Sequence, residues 1–224
     1  MIIAIDGPAA SGKSTAAIGV AKALNIIHLD TGAMYRAVTF GLVKNQISFR
    51  DLLTIEDYLK ILKLEFSKRN DNTTLLLNNR DITKDIRSNK INDNVSEVSA
   101  IKIVREFMVN IQREMARDVD CVLEGRDIGT VVFPNADYKF FITANEESRA
   151  KRRLKDLVVA GDKKADEFNS VLEELNDRDY KDSNRDHSPL KKAEDAILID
   201  TTYLTINEVI MEIVNTVNQK RTLI

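Results

Sequence analysis

One segment near the start of the chain constrains the fold more than any other. Residues 1–5 (MIIAI) form a short unbroken apolar run, the pattern of a strand buried on both faces of a parallel sheet. Asp6 follows, then Gly7-Pro8-Ala9-Ala10-Ser11-Gly12-Lys13-Ser14, then a helical stretch with Ile18, Val20, Ala21 and Leu24 expected along one face. The loop fits G-x-x-x-x-G-K-[ST] at every fixed position and lies between a strand and a helix, the context that makes this pattern a phosphate cradle. A polyphosphate needs several donors in a concave nest. Gly7 and Gly12 supply the bends that turn successive backbone N–H groups inward, and the helix N-terminus adds its dipole. Lys13 then reaches the β and γ phosphates as a point charge. The Ser14 hydroxyl is a ligand for a Mg²⁺ ion on the same oxygens, with Thr15 beside it as a helper.

The composition narrows the partners of such a loop. The chain has 224 residues, 43% hydrophobic and 30% charged, enough for one globular α/β domain with insertions and short for two full ones. Lys+Arg 33 against Asp+Glu 35 leaves a net charge of -2, so no global positive field holds a nucleic acid and no polynucleotide partner is expected. One cysteine and two histidines cannot form a disulfide framework or a Cys/His metal cage, so a metal must bind through oxygen. A lone thiol suits a reducing compartment. The apolar runs are strand-sized and the first residues lack the basic region of a secretory signal. A cytoplasmic monomer acting on small molecules, with no membrane partner, is expected.

Five of the eight glycines, Gly7, Gly12, Gly32, Gly125 and Gly129, fall in three polar segments, each directly behind an apolar run. In the second segment, Ile26-Ile27-His28-Leu29 reads as a strand and Asp30-Thr31-Gly32-Ala33-Met34-Tyr35-Arg36 opens a helix that runs toward Val43. The carboxyl ends of parallel strands line the ligand crevice of an open α/β sheet, so Asp30, Thr31 and Arg36 are expected to face it. A plain helix start with a capping residue is the competing reading. His28 is expected to be a packed side chain. In the third segment, residues 119–130, a strand breaks into the glycine-flanked pair Arg126-Asp127, which presents a cation and an acceptor. Cys121 reads as a small buried hydrophobe. A GTPase switch is absent, because no glycine has an aspartate three residues before it, and Asn89-Lys90-Ile91-Asn92 lacks the acid of a guanine reader.

Four segments together, GPAASGKST (7–15), DTGAMYR (30–36), LEGRDIGTVVFP (123–134) and RDYKDSNR (178–185), resemble bacterial cytidylate kinases. The resemblance implies a single α/β P-loop NTPase domain over 1–224, of three layers, with a five-stranded parallel sheet in the order 2-3-1-4-5. It implies an inserted monophosphate-binding subdomain over 45–94 and a lid over 149–187. It also implies MgATP-dependent transfer of the γ-phosphoryl group to CMP or dCMP, in pyrimidine nucleotide metabolism. ATP would lie on Gly7, Pro8, Ala9, Ala10, Ser11, Gly12, Lys13, Ser14 and Thr15. Arg36, Arg126 and Arg185 resemble the set that holds the acceptor phosphate, with Lys13, Arg126 and Arg185 as the catalytic cations. Thr31 also belongs to the CMP-binding set. Arg178 and Asp182 resemble the pair near the sugar. Cytosine shows an N4 donor and N3 and O2 acceptors, so Asp127 suits N4, and Arg105 and Ser96 suit N3 and O2. Another small-molecule kinase, of the thymidylate or shikimate type, and a P-loop module without turnover remain the alternatives.

The rest of the chain supports this frame without adding chemistry. Ile101, Val104, Met108, Ile111 and Met115 recur at helical spacing as a core stripe. Arg105 and Gln112 lie off it, where a solvated face is the competing reading; Arg113 has no assignment. Leu64-Glu65-Phe66 and Thr74–Leu77 suit a small antiparallel sheet with turns at Asp71-Asn72 and Asn78-Asn79-Arg80-Asp81. Five basic residues lie between Arg149 and Lys155, a solvated helix face by ordinary reading. Their position before the 178–185 motif suits a lid hinge that carries Arg149 and Arg153 toward the donor phosphates. Residues 196–200 suit a last strand, with Thr201-Thr202 near the adenine and a helix from about Thr205.

Overall fold

The computed structural model describes residues 1–69, 72–159 and 167–221. Contacts divide the chain into two compact units, Met1–Leu29 with Ala116–Ile224, and Asp30–Met115.

The first unit is organised around β1 (Ile2–Asp6), whose apolar residues leave no polar face and therefore demand cover on both faces of the sheet. It pairs in parallel with β6 (Cys121–Gly125) and with β7 (Tyr138–Thr143). β8 (Ile197–Asp200) pairs in parallel with β7, and β2 (Ile27–Asp30) lies at the other edge, giving the order β2-β6-β1-β7-β8. Counted along the chain as strands 1 to 5, this is 2-3-1-4-5, the order that the resemblance implied. The register sets Asp6 level with Gly125 and with Phe141, so the loops after β1 and β6 leave the sheet at one height.

Helices α1 (Lys13–Leu24) and α8 (Ile206–Arg221) pack together on a core that includes Ile3, Ile5, Val20, Phe140 and Ile213. The buried face of α1 carries Ala16, Ala17, Val20 and Ala21, whereas Ile18 is 55% exposed and does not belong to it. Two residues along a helix turn the side chain by about 200°, so Ile18 points away from a face defined by positions 16 and 20. α8 starts on a reciprocal cap: Thr205 N donates to Glu208 at 2.7 Å and Glu208 N donates to the Thr205 hydroxyl at 3.3 Å. Helices α6 (Glu146–Val159) and α7 (Phe168–Asn184) share a smaller cluster of Ala150, Leu157, Val171 and Leu175 that also takes in Ala9.

The second unit has its own core, built on Met34, Val38, Leu42, Ile55, Leu75, Val98 and Met108. These come from α2 (Thr31–Lys44), α3 (Leu52–Ile61), α4 (Asn89–Ala100), α5 (Lys102–Met115) and a three-stranded antiparallel sheet, β3 (Leu64–Arg69), β4 (Asn72–Leu77) and β5 (Arg80–Asp81). The unit therefore takes in residues 45–94 together with α2 and α5, whose apolar faces close the same core. Asn78 and Asn79 have φ of 49° and 65°, the signature of a two-residue type I′ hairpin. The turn ends there: Arg80 and Asp81, expected as turn residues, pair with Leu77 and Leu76 as the third strand. In the other expected turn, Asp71 lies outside the described residues and Asn72 already belongs to β4. Among the described residues no helix is long and apolar enough to cross a membrane.

Gly7 is where the sheet forces a glycine on the loop. Its φ is 151°, and a Cβ there would stand 2.0 Å from the carbonyl oxygen of Ile142 in the neighbouring strand. Gly7→Ala is expected to cost at least about 2 kcal/mol, from the unfavourable backbone conformation and the overpacking together, measured as a lower midpoint in urea unfolding.

Candidate active site

The phosphate-binding loop connects β1 to α1. Gly12, in the left-handed region with φ of 94°, precedes the first helical residue, Lys13. Ala10 joins the two glycines at positive φ, 56°, a departure that no glycine marks in the sequence. Lys13 is buried, and its Nζ donates to the Pro8 carbonyl at 2.6 Å across the loop. Burial, and after it the Arg126 guanidinium, push the Lys13 amine down to about 7; Glu124 works in the opposite direction.

Ser14 Oγ donates to Glu124 Oε2 at 2.7 Å. Glu124 stands in β6 level with Ile5 of β1 and is 4% exposed. Burial favours its proton, but His28, Lys13 and Ser14 outweigh it and hold the carboxyl below its ordinary value. His28, expected to be packed, sits half-buried with Nε2 3.7 Å from Glu124 Oε1. Glu124 escaped the sequence reading because it resembles any polar residue that ends a strand. The usable signal is an acid at the carboxyl end of the strand beside the loop strand. Among the described residues no group of three or more His, Cys, Asp or Glu side chains could hold a metal by itself. A hydroxyl beside one ionised carboxylate nevertheless fits Mg²⁺, which is held by few protein oxygens and completes its shell with phosphate and water.

The third segment and the 178–185 motif meet in the same unit. Arg126 Nε donates to Asp182 Oδ2 at 2.8 Å. Arg185 NH1 lies 3.8 Å from Asp182 Oδ1, and its NH2 lies 3.6 Å from Asp127 Oδ1. Asp127, Asp182 and the Arg185 side chain are all buried. Burial works against the Asp182 charge, yet Arg126, Arg178 and Arg185 keep its carboxyl below the usual range. Arg126 is held above its ordinary value in turn: burial opposes its charge, and Asp182, with Asp179 and Glu124, more than offsets the burial. Arg126, Asp127, Arg178, Asp182 and Arg185 thus form one electrostatic network, and the pair expected to present a cation and an acceptor does so first to protein partners. Cys121 is buried, and burial pushes its thiol up to about 11, as suits a hydrophobe.

The basic run on α6 is not a solvated face where it meets the loop. Arg149 is buried and donates to Asp179 of α7 and to the Ala9 carbonyl at 3.3 Å, while Ala9 N donates to Asp179 at 2.9 Å. Arg152, which carried no sequence assignment, donates to the Ser11 carbonyl at 3.2 Å and to Thr201 at 2.6 and 2.8 Å. Arg153 is half-buried. A cavity of about 320 Å³ opens here, lined by Gly12 and Thr15 of the loop, Arg152, Lys155, Thr201 and Leu204. Of the expected lid span 149–187, residues 160–166 lie outside the described residues.

The remaining sequence-predicted residues belong to the second unit. Asp30 caps α2, accepting from Ala33 N at 2.8 Å, as the plain helix-start reading expects. Thr31 is buried in the first turn of α2, and Arg36 Nε donates to Asn92 at 3.2 Å. Ser96 is half-buried in α4, and its carbonyl accepts from the Ser99 hydroxyl. Arg105 is 3% exposed, donates to the Ser99 carbonyl at 3.0 Å and lies 5.4 Å from the centre of the Tyr35 ring. Gln112 is 1% exposed, and neither of its amide atoms has a hydrogen-bond partner among the described residues. The solvated-face reading of Arg105 and Gln112 is therefore wrong. Seven residues apart, they fall on one line of the helix beside the apolar stripe, and that line is covered too.

Comparisons with known proteins identify the family. The family model described as "Cytidylate kinase" matches residues 3–219. The cytidylate kinase of Fusobacterium nucleatum is 49% identical over 94% of this chain and 94% of its own. That of Protochlamydia amoebophila is 46% identical over 99% of each, and that of Clostridium botulinum strain Langeland is 46% identical over 97% of each. Among solved structures, an uncharacterized protein from Eubacterium ventriosum superposes with a TM-score of 0.53 at 14% identity, covering 97% of this chain and 98% of its own, a likeness of fold alone.

Asp182 anchors arginines from two segments, so Asp182→Asn should remove about 3 kcal/mol or more of stability at neutral pH by leaving buried cations underpaired. The pH dependence has a definite sign. A carboxyl lowered by folding contributes stability that is fully present above its unfolded value, near 3.9, and is lost as pH falls through its folded value. Urea unfolding between pH 7 and 2 should therefore show a shallower acid loss for Asp182→Asn than for the unsubstituted protein.

Proposed function

We propose that this chain, which belongs to the cytidylate kinase family, transfers the γ-phosphoryl group of MgATP to CMP or dCMP, giving ADP and CDP or dCDP. The observation that carries this reading is electrostatic. The Lys13 ammonium is close enough to Arg126 and Arg178 for each to lower its pKa, so the loop that would hold the donor shares one buried location with the arginines assigned to the acceptor. Cations gathered in this way serve a reaction between two anions.

The same location argues against a hydroxyl acceptor. Transfer to an alcohol calls for a base near the nucleophile, whereas the acids of this cluster are engaged in holding arginines: Asp182 by Arg126 and Arg185, Asp127 by Arg185. A nucleoside monophosphate already offers an anionic oxygen near neutral pH. Its catalyst needs positioning and positive charge around the transferring group rather than proton removal. Lys13 and the loop amides bind the donor, while Arg126 and Arg185 orient the acceptor phosphate. A carboxylate has about four lone-pair sites, so Asp182 can still accept from a sugar hydroxyl beside Arg178. Thr31, Arg36, Ser96 and Arg105 are assigned to the acceptor on motif match alone, and Asp127 to the N4 amino group of the base.

Mg²⁺ would be held at Ser14 and Glu124, and when bound with ATP it supplies positive charge at the β and γ oxygens. The cavity beside Gly12, Thr15, Arg152 and Thr201 is of the size and place for the donor's base. The span 149–187 acts as a lid that excludes water from the reacting phosphates, a role supported by Arg149 and Arg152 reaching loop carbonyls.

An ADP-release assay across monophosphates is expected to show stoichiometric turnover with CMP and dCMP and much slower turnover with UMP; no turnover with any pyrimidine monophosphate would overturn the reading. Glu124→Gln is expected to raise the Mg²⁺ concentration for half-maximal rate about tenfold. Lys13 gives a third expectation. Its amine stands near 7, and a bound polyphosphate raises it, so ATP binding at pH 8 should take up approaching one proton. Calorimetry in two buffers of different ionisation enthalpy measures this, and equal uptake by Lys13→Ala would exclude Lys13 as its source.

A further inference from the structure

The last residue of β1 is a buried carboxylate to which the transfer reaction assigns no work. Asp6 is 4% exposed. Its Oδ1 accepts the Ile128 N–H at 2.8 Å and its Oδ2 accepts the Gly129 N–H at 2.7 Å. These amides open the π-helical turn Ile128–Val132, and the first donors of any helical turn have no acceptor within it. The residue in the N-cap position of that turn is Asp127, a residue type that ordinarily bends back over such amides. Here it does not: Asp127 makes no side-chain cap, and its Oδ1 lies 3.6 Å from Arg185. The cap comes instead from a residue 122 positions away in sequence.

We infer that Asp6 is a positioning residue for the acceptor nucleotide: by capping the 128–132 turn in place of Asp127, it holds the Arg126–Asp127 backbone against β1 and releases the Asp127 carboxylate to read the base. The inference rests on the assignment of Arg126 and Asp127 to the acceptor made above. Two adjacent amides on the two oxygens of one carboxylate fix a direction as well as a distance, so the backbone that carries Asp127 moves only if both bonds break. A Cβ at Gly129 would meet Lys139 Cδ at 3.2 Å and stand at ordinary contact distance, 3.4 Å, from Asp6 Oδ2. Lys139 itself is turned away, its ammonium on the Pro134 carbonyl and Asp195. Burial pushes Asp6 up to about 6, and the two amides and Lys13 oppose that rise while Asp127 adds to it. The carboxylate is therefore ionised at neutral pH, where both oxygens accept.

The test uses the full chain as Asp6→Ala and, because Asp6 adjoins the loop and its removal endangers folding, as Asp6→Asn, which keeps the side chain's shape and one acceptor oxygen but sets an NH2 group against the other backbone N–H. Both variants are expected to raise KM for CMP about tenfold or more and to reduce the CMP-over-UMP ratio of kcat/KM by a similar factor. The ATP dissociation constant from calorimetry should stay within about threefold. Backbone amide exchange at Ile128 and Gly129 should accelerate at least tenfold in Asp6→Ala. A parallel loss of ATP and CMP affinity, or unchanged base preference despite faster exchange, overturns the inference. Asp127→Ala separates its failure from that of the underlying reading. If Asp127→Ala keeps the base preference, the acceptor assignment itself is wrong and the role given to Asp6 falls with it. If Asp127→Ala loses the preference while Asp6→Ala and Asp6→Asn keep it, only the role of Asp6 is wrong.

Discussion

Buried positive charge is the constraint around which the first unit is arranged. Lys13, Arg126, Arg178 and Arg185 are brought near one another, and like charges removed from water destabilise one another unless acids answer them. Glu124, Asp127 and Asp182 are those acids, and each steadies at least one cation from another stretch of chain: Glu124 with Lys13, Asp182 with Arg126, Asp127 with Arg185. At Lys13 burial, and after it the nearby Arg126, still depress the pKa, and a bound polyphosphate would oppose both. A site of this kind is built for anionic ligands on both sides of a transfer. It also explains why the acids in it are poor candidates for a general base.

The sheet makes that concentration of charge affordable. Because β1 and β6 run parallel with Asp6 level with Gly125, the phosphate loop and the Arg126-Asp127 segment leave the sheet side by side. Backbone donors that a strand end or a turn would leave unsatisfied are then covered by side chains from neighbouring elements, as Asp6 covers Ile128 and Gly129 and as Asp179 covers Ala9. Arg149 and Arg152 act in the opposite sense, giving donors to loop carbonyls. The loop is thus held from both sides by groups on α6 and α7, which couples its shape to the segment assigned as the lid.

Local patterns were legible wherever the backbone itself carried the signal. Gly7 and Gly12 stand where positive φ is needed, Asn78-Asn79 form the hairpin turn, Asp30 caps α2, and the Thr205–Glu208 pair starts the last helix. Errors arose where a local pattern was compatible with two environments. Ile18 looked like part of an apolar face and is exposed. For Arg105 and Gln112 a solvated face was the competing reading, and both are buried. Arg80-Asp81 looked like turn residues and pair as a strand. In each case a contact with a distant element decides, and nothing within a few residues reports it.

What the sequence determined by itself was chemistry at fixed spacing: a glycine-bent loop between strand and helix, arginine-bearing segments behind strand ends, and with them the family and the class of reaction. Such features depend on neighbours along the chain, because backbone conformation and helix dipoles are set within a few residues. Only the tertiary structure decided which charges meet. That Glu124 takes the Ser14 hydroxyl, that Arg152 reaches Ser11 and Thr201, and that Asp6 caps a turn whose own aspartate is turned elsewhere all depend on strand order and register. The sheet brings together residues more than a hundred positions apart, and the energy of a buried charge is settled by whatever then lies within a few ångströms of it.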